Sequence, residues 1–339
     1  VTLLPVLLFA HQGIFLYVGF LTAGFVSVFA FKVLGKGWKQ FVLALLSFAV
    51  LALCFLAFSW LSLVDGKVLA TLLRLLVASL LAVAGYPLIF LFEKVFNLVS
   101  NSRLSELADT SNSLLRELEL KAPGTFQHSL QVMNMADAAA RAIDANYLLL
   151  RVAALYHDIG KMCNPLCFVE NESLINRTET SRYHSALEPA QSARDIIRHV
   201  ADGEELARRH RLPAIVTSFI STHHGTTLTA YFWNAHVQAG GSLSDVREFR
   251  YPGPLPASRE QVILMLCDSI EAASRTLTEH TPEAYSAFVE RIVAGKIEEG
   301  QLEQAEISIR ELSEVKAAVK AYLARMLHER IAYPKRETN

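Results

Sequence analysis

The hydrophobic pattern divides the chain into a strongly apolar first part and a mixed second part. Residues Gly13–Phe31, Phe41–Val64 and Val68–Phe92 are apolar runs of about the 20 residues that cross the hydrocarbon core of a bilayer. Three such runs in succession, separated by short polar loops, favour transmembrane helices over the buried core helices of a soluble protein. Because the chain also begins at an apolar valine, we expect residues 1–94 to be the C-terminal part of a multi-span membrane domain.

The charges of the loops predict the orientation of these runs. Lys32, Lys36 and Lys39 lie between the first and second runs, whereas the next loop carries only Asp65 and Lys67. Lysine-rich loops stay in the cytoplasm, so the third run would return the chain to that side. We therefore expect a multi-pass protein of the plasma or inner membrane, with the lipid bilayer as a partner and the second part in the cytoplasm.

The second part has the pattern of helices. Residues 95–122 turn polar but keep regularly spaced leucines, which predicts a juxtamembrane linker helix that ends before Pro123-Gly124. No alternating strand pattern of useful length appears. We therefore predict an all-α fold, with transmembrane helices followed by a helical cytosolic domain at 123–333. Its predicted helices are Thr125–Ile143, Tyr147–His157, Pro189–Asp202, Ala214–Thr222, Ser258–Leu277, Pro282–Ala294 and about Glu303–Arg330. Stretches 163–183 and 240–256 are irregular, and loops of such length are often functional.

Charge and cysteine content narrow the classes of partner. The net charge of −1 provides no general basic surface, so a nucleic-acid polymer is not an expected partner. The four cysteines form no CxxC pair and are typical of reduced thiols. Cys163 and Cys167 follow a candidate metal motif, but buried free cysteine is the commoner explanation.

The histidines show where chemistry is expected. His157-Asp158 and His223-His224 are adjacent pairs, each at the end of an apolar helix. Imidazole nitrogen and carboxylate oxygen suit divalent Fe, Mn and Zn. Each pair alone is a weak signal, but together with three further residues they follow the order H…HD…H…HH…D of the HD superfamily. The additional residues are His128, His199 and Asp268.

Longer motifs support this assignment. They are Leu115-Arg-Glu-Leu118, Ala122-Pro-Gly-Thr-Phe-Gln-His-Ser-Leu130, His157-Asp-Ile-Gly-Lys161, Phe168-Val-Glu-Asn171, His199-Val-Ala-Asp-Gly203, His223-His-Gly-Thr-Thr227, Tyr231-Phe232, Phe249-Arg-Tyr-Pro-Gly-Pro254 and Leu266-Cys-Asp-Ser-Ile-Glu-Ala-Ala273. In this order they resemble the PgpH-like family of seven-transmembrane HD-domain phosphodiesterases, which degrade cyclic di-AMP. The resemblance covers essentially the whole chain.

The resemblance implies two divalent metal ions, with iron or manganese expected. One ion would be held by His128, His157, Asp158 and Asp268, and the other by Asp158, His199, His223 and His224. Asp158 would then bridge the two ions and act as a catalytic residue.

Two histidines lie between the His157-Asp158 and His223-His224 pairs, and either could be the single ligand expected there. His199 is preferred because it lies in a helix beside Ile196 and Val200, where the family carries its ligand. His184 precedes Pro189 in less regular chain. It remains a candidate contact to substrate.

Further substrate contacts are expected just after the His157-Asp158 pair and just after the His223-His224 pair. Lys161 lies one turn after Asp158 and is placed to contact a phosphate and to assist catalysis, against the alternative of a solvated lysine at a helix end. Gly225 and Thr226 would let a nucleotide approach the second metal. Arg250 is a candidate phosphate or base contact in a Pro/Gly-rich loop.

The function implied by the resemblance is hydrolysis of cyclic di-AMP to pApA by a two-metal-activated hydroxide, coupled to a membrane sensor. A cyclic di-GMP enzyme is the nearest alternative, and Gly225-Thr226-Thr227 after the histidine pair argues against it. A membrane receptor with a non-hydrolysing HD domain is disfavoured by the complete set of ligands. A transporter is disfavoured because the apolar runs contain little charge. The oligomeric state stays open, with a homodimer among the candidates.

Overall fold

A computed structural model of the chain describes residues 13–34, 40–61, 67–96, 99–171 and 183–329. The chain forms two compact units, residues 1–98 and 99–339. The first unit contains helices α1 (Gly13–Leu34), α2 (Gln40–Trp60) and α3 (Val68–Phe96). Of the predicted cytoplasmic lysines, Lys36 and Lys39 lie outside the described residues.

The helices of the first unit carry apolar side chains on their exposed faces as well as on their buried faces. A small buried cluster joins Ala23 of α1, Leu51 and Phe55 of α2, and Leu75 of α3, while other large apolar side chains such as Phe25 are exposed. Within the described residues, one helical stretch, Val42–Trp60, is long and apolar enough to cross a membrane, with a mean hydropathy of 2.6. The apolar stretches Tyr17–Val26 and Val68–Leu81 are shorter. The prediction of three spans therefore stays a prediction.

The regular structure in the described part of the second unit is helical, apart from an isolated β-bridge between Leu228 and Arg250, which confirms the all-α prediction for those residues. Its α-helices are α4 (Asn101–Leu107), α5 (Ser113–Lys121), α6 (Pro123–Ala142), α7 (Tyr147–Tyr156), α8 (Pro189–Arg209), α9 (Ala214–Thr222), α10 (Ala230–Gln238), α11 (Arg259–Ser274), α12 (Pro282–Glu298) and α13 (Ile309–Glu329). Short 3₁₀ helices cover Ile159–Cys163, Pro165–Cys167, Tyr183–Ala186 and Leu243–Phe249. They occupy parts of the two stretches predicted to be irregular, of which 172–182 lies outside the described residues.

The segment predicted as one linker helix forms two helices, α4 and α5. The interruption at 108–112 contains its own capping group, since the Asn112 side chain accepts a hydrogen bond from the Leu114 amide. A capping asparagine favours a new helix start over continuation of the preceding helix. The leucines of both helices are buried in the core of the second unit; they are Leu104, Leu107, Leu114, Leu115 and Leu118.

Helix α10 was not predicted from the sequence, and several helix ends differ from the prediction, among them those of α8 and α13. α8 continues past Asp202 to Arg209, and it lies close to α9 at Gly203, where an added Cβ would be 2.9 Å from the Ile220 side chain. α13 begins at Ile309, later than predicted, because Ser308 and Glu311 cap it. The Ser308 hydroxyl accepts from the Glu311 amide at 3.1 Å, and the Glu311 carboxylate accepts from the Ser308 amide at 2.8 Å, a capping box.

The hydrophobic core of the second unit holds together the helices that carry the predicted ligands. α6, α7 and α11 contribute long rows of completely buried side chains, such as Val132, Leu155 and Leu266. Burial of apolar surface on this scale is the main force that holds helices together. The C-terminal ends of α7 and α9, the first half of α6 and the middles of α8 and α11 converge at one point inside this core.

Candidate metal centre

Five helices bring the predicted ligands together. His128 comes from α6, His157 and Asp158 from the end of α7, His199 from α8, His223 and His224 from the end of α9, and Asp268 from α11. They form two groups that share Asp158: His128, His157, Asp158 and Asp268, and Asp158, His199, His223 and His224. In each group the potential ligand atoms lie within 4.8 Å of one another. These are the two groups that the resemblance implied.

The orientation of three imidazoles is set by the backbone of their own helices. In each ring Nδ1 donates to the carbonyl three residues earlier, and the pairs are His157 with Ala154 at 2.8 Å, His199 with Ile196 at 2.6 Å and His223 with Ile220 at 2.8 Å. A carbonyl can only accept, so Nδ1 carries a hydrogen, and in the neutral ring the lone pair is on Nε2. The three Nε2 atoms lie 3.2 to 3.6 Å from the Asp158 carboxylate. The free lone pairs therefore surround one carboxylate.

Two atoms at the centre of this arrangement lack a hydrogen bond. Asp158 Oδ1 and His157 Nε2 are buried and unpaired. Leaving a buried acceptor unsatisfied costs about 1–3 kcal/mol, and acceptors that face one another gain nothing from each other. A bound divalent cation would satisfy both atoms, so the donor set fits a metal site.

His128 is oriented by a different partner. Its Nδ1 is hydrogen-bonded to the Glu271 carboxylate, which also accepts twice from Arg275 at 3.0 Å. His128 Nε2 lies 3.0 Å from Asp268. A carboxylate behind a metal-binding histidine fixes the ring and raises its basicity. Glu271 was not predicted from the sequence, although its position three residues after Asp268 puts both carboxylates on one face of α11.

Opposite charges decide the protonation of the buried groups. Burial disfavours charged Asp158, yet Lys161 and His157 hold the pKa of this carboxyl well below its usual value. Burial also opposes a protonated His157, but without a metal the Asp158 carboxylate outweighs it and raises the pKa of His157, so a metal bound there would have to displace that proton. Burial lowers the pKa of His223 and His224. Charged carboxylates and neutral imidazoles are the forms that bind metals.

Lys161 is not a solvated lysine at a helix end. Its Nζ lies 2.7 Å from Asp158 and 2.9 Å from Glu170, and 4.8 Å from the centre of the Phe168 ring. Although burial disfavours its charge, the Asp158 and Glu170 carboxylates raise the pKa of Lys161. A fixed positive charge therefore borders the metal centre.

The predicted substrate residues after the histidine pair form a supported loop. Gly225 has a φ of +53°, and a Cβ there would collide with Gln301. The Thr226 amide donates to Gln301 at 2.9 Å, and the Thr226 hydroxyl accepts from Gln301 at 3.0 Å. The Arg250 guanidinium donates to the Thr226 carbonyl at 3.0 Å. Gln301, which is completely buried, was missed from the sequence. Contact of these residues with substrate stays a prediction.

His184 lies outside both ligand groups. Its Nε2 donates to the Cys167 carbonyl at 2.8 Å, and the residue lines a cavity of about 450 Å³. Its contact with substrate also stays a prediction. Cys163 is exposed and Cys167 is buried, both as free thiols, and neither belongs to a ligand group.

Comparison with known proteins assigns this domain to a family. Residues 125–273 match the HD domain. The chain is 37% identical over 243 residues to the cyclic-di-AMP phosphodiesterase PgpH of Bacillus subtilis (strain 168), a match that covers 72% of this chain and 33% of that protein. It is 38% identical over 254 residues to PgpH of Listeria monocytogenes (serotype 1/2a, strain 10403S), covering 74% and 34%. The chain thus spans about a third of the length of these curated relatives.

A solved structure of a relative has the same fold. The crystal structure of the HD domain of the L. monocytogenes phosphodiesterase PgpH in complex with cyclic di-AMP superposes with a TM-score of 0.60 and 36% identity, covering 66% of this chain and 100% of that chain. The chain therefore belongs to the HD-domain family, as a homologue of the PgpH cyclic-di-AMP phosphodiesterases.

Proposed function

We propose that the chain is a metal-dependent phosphodiesterase that hydrolyses cyclic di-AMP to linear pApA. The observation that carries this proposal is the pair of buried ligand groups that share Asp158. The homologous HD domain crystallised with cyclic di-AMP supports the choice of nucleotide. Iron or manganese is the proposed metal, because both accept the mixture of imidazole and carboxylate ligands found here.

The chemistry follows from the residues around Asp158. Two divalent ions held by these groups would lower the pKa of a bound water and neutralise charge on the phosphoryl oxygens. Asp158 has one oxygen toward His157 and one toward His199 and His223, which is the arrangement of a bridging ligand. The Lys161 ammonium is held beside Asp158, where it can pair with a phosphate oxygen. Glu170 keeps it there.

The bond changes in the proposed reaction are those of a single hydrolysis. The oxygen of a water bonds to phosphorus, the bond between phosphorus and the 3′ oxygen breaks, and the 3′ oxygen leaves as a hydroxyl with one of the water's protons. The ring opens and pApA is formed. A fixed cation such as Lys161 stabilises the charge that develops on the phosphoryl group.

Activity of the purified full chain would test the proposal. The chain is incubated with manganese or ferrous iron and with cyclic di-AMP, cyclic di-GMP or a simple aryl phosphodiester, and products are separated by chromatography. We expect pApA from cyclic di-AMP, about two metals per chain, and almost no turnover by Asp158→Ala. Asp137→Ala is the matched control, because Asp137 forms a surface ion pair with Arg141 at 2.8 Å.

The other outcomes favour other functions. Preferential cleavage of cyclic di-GMP would replace the proposed substrate. Metal binding without turnover of any substrate would favour a nucleotide-binding membrane receptor. A homodimer remains a prediction, which the mass of the full chain in detergent would test.

We further propose that residues 1–94 span the membrane three times, carry a sensor function and leave the HD domain in the cytoplasm. The thiol of Cys163 offers a test because it is exposed, whereas Cys167 and Cys267 are buried. A membrane-impermeant maleimide should label Cys163 in inverted vesicles and not in intact cells. Labelling in intact cells would place the domain outside and overturn the orientation.

A further inference from the structure

Within the described residues, His224 is the one predicted ligand histidine whose ring makes no hydrogen bond. Its Nδ1 lies 3.7 Å from Asp268, beyond hydrogen-bond distance. The ring packs on Tyr251 with centroids 4.2 Å apart and planes at 31°. The four histidines with an orienting hydrogen bond on Nδ1 are His128, His157, His199 and His223. Metal-binding histidines almost always have such a partner, so the position of His224 has to be set in another way.

Thr227 connects the backbone of His224 to a second segment of the chain. The Thr227 amide and hydroxyl both donate to the His224 carbonyl, at 3.1 and 2.5 Å. The Thr227 carbonyl accepts from the Tyr251 amide at 3.0 Å, so the residue that packs on the His224 ring is bonded to the same threonine. Thr227 therefore fixes both the main chain of His224 and the residue that covers its side chain.

Lys296 sets the direction of the Thr227 hydroxyl. It lies in the last turn of α12, and its Nζ donates to the Thr227 hydroxyl oxygen at 3.0 Å. An ammonium group can only donate, so this oxygen accepts from Lys296 and its hydrogen points to the His224 carbonyl. Gln301, just after α12, accepts from the amide of the neighbouring Thr226 at 2.9 Å. The end of α12 thus holds the loop after His224 at two consecutive residues.

The charge of Lys296 distinguishes two possible roles. The residue is half-buried and forms no ion pair in the described part of the chain. Burial lowers the pKa of Lys296, and the Glu299 and Asp268 carboxylates oppose this effect, so its charge is felt at the metal centre. A cation there repels a metal ion, and as a charge alone Lys296 would weaken metal binding. As a support for Thr227 it would strengthen metal binding.

We propose that Thr227, held by Lys296, is the positioning residue for His224 and therefore for the metal ion of the group that contains His199. This inference rests on the proposed metal-dependent function and adds the support of the one ligand whose ring lacks a hydrogen bond. Both residues act through the main chain of His224. Because the group with His128 does not include His224, loss of this support should weaken one ion and leave the other in place.

Manganese binding to the full chain in detergent, measured by titration calorimetry without nucleotide, tests the inference. Thr227→Val removes the hydroxyl and nearly keeps the shape of the side chain, whereas Thr227→Ser keeps the hydroxyl. Lys296→Met removes the donor and the charge and keeps most of the length. The double variant of Thr227→Val and Lys296→Met shows whether the two side chains act through one contact.

Two substitutions of the same kind serve as matched controls. Thr217→Val removes a hydroxyl that bonds to the Pro213 carbonyl at 3.3 Å within α9. Lys316→Met removes a lysine that pairs with Glu290 at 2.7 Å on the surface. Both controls should bind manganese as wild type does, and circular dichroism checks that every variant is folded.

We expect Thr227→Val to weaken the second manganese ion by about 10-fold, the lower end of the range for removal of a group that supports a metal ligand. The first ion should bind unchanged, and Thr227→Ser should restore wild-type binding. Lys296→Met should weaken the same ion by roughly 2- to 10-fold, the effect of one hydrogen bond. In the double variant, Lys296→Met should add no further weakening to Thr227→Val.

Three results would overturn the inference: wild-type affinity in Thr227→Val, equal weakening of both ions, or tighter manganese binding by Lys296→Met. The last result would make Lys296 a repelling charge and nothing more. A wild-type chain that binds no manganese would overturn the metal-dependent function and this inference with it. Because the assay contains no nucleotide, failure to hydrolyse cyclic di-AMP would overturn the proposed function alone.

Discussion

Gly160 allows the ligand-bearing helices to approach each other, and replacing it should damage both stability and the metal centre. It lies in the 3₁₀ turn after Asp158, against the backbone of α8. A Cβ at this position would lie 2.5 Å from the Gly203 amide nitrogen and closer still to the His199 carbonyl oxygen, where real Cβ atoms stay beyond 3.0 Å. Both contacted atoms are backbone, so no side chain can rotate away. Relief requires α8 itself to move.

The size of the effect follows from this geometry. Forcing one extra carbon into a packed interior costs typically about 1–3 kcal/mol, and we expect Gly160→Ala to lose at least that much free energy of unfolding. The atom displaced most belongs to His199, whose ring is a predicted ligand. Because a misplacement of about 1 Å can cost roughly 100-fold in rate, turnover should fall by two orders of magnitude or more in protein that remains folded.

Gly295→Ala provides the matched control. The same added carbon on α12 meets nothing within 4 Å, and alanine is favoured over glycine inside a helix by about 0.5–1 kcal/mol. Urea denaturation of residues 99–339, which have their own core, should therefore give opposite signs for the two variants. Wild-type stability and manganese binding in Gly160→Ala would refute the role assigned to this contact.

Two further predictions concern polar partners that the structure reveals. Glu271→Ala removes the group that orients His128 and should weaken manganese binding about 10- to 100-fold, measured by titration calorimetry; unchanged affinity would contradict the role. Hydrogen bonds from the Ser308 backbone amide, and then the bond from Arg259, lower the pKa of Glu311 to about 2. This carboxylate therefore stabilises the fold above its ordinary pKa near 4.5, and the contribution is lost as the pH falls toward 2. Glu311→Gln should lower the urea midpoint at pH 7, and its midpoint should lie closer to that of wild type at pH 3.5. The same difference in midpoint at both pH values would contradict this role of the Glu311 carboxylate.

The ligand set could be predicted from the sequence because each member stands in a recognisable local pattern. Adjacent pairs such as His157-Asp158 end apolar helices, and the remaining ligands lie inside helices of clear period. Helical periodicity also predicted most helices of the second unit to within a few residues. These signals lie within short stretches of the sequence, so they can be recognised without knowing how the helices pack.

The supporting residues could not be predicted in the same way because their roles depend on contacts between distant segments. Glu271 acts through His128, 143 residues away, and Gln301 acts through Thr226, 75 residues away. Nothing next to either residue in the chain signals its partner. The same limit explains the linker, whose leucines showed a buried face but not that α4 and α5 pack into the domain core.

The two ligand groups are held by different kinds of support, which makes them separable by mutation. In the group with His199, position depends on backbone packed against backbone at Gly160. In the group with His128, the position of the imidazole depends on side chains: Glu271 binds the ring and is itself held by charge-assisted hydrogen bonds of 3.0 Å from Arg275. Because Asp158 belongs to both groups, one site can weaken while the other keeps this ligand. We therefore expect Gly160→Ala and Glu271→Ala each to lower the metal content of the folded chain from about two toward one rather than to zero, as measured by elemental analysis. Complete loss of metal from both variants would show that the two groups bind metal as a single cooperative unit.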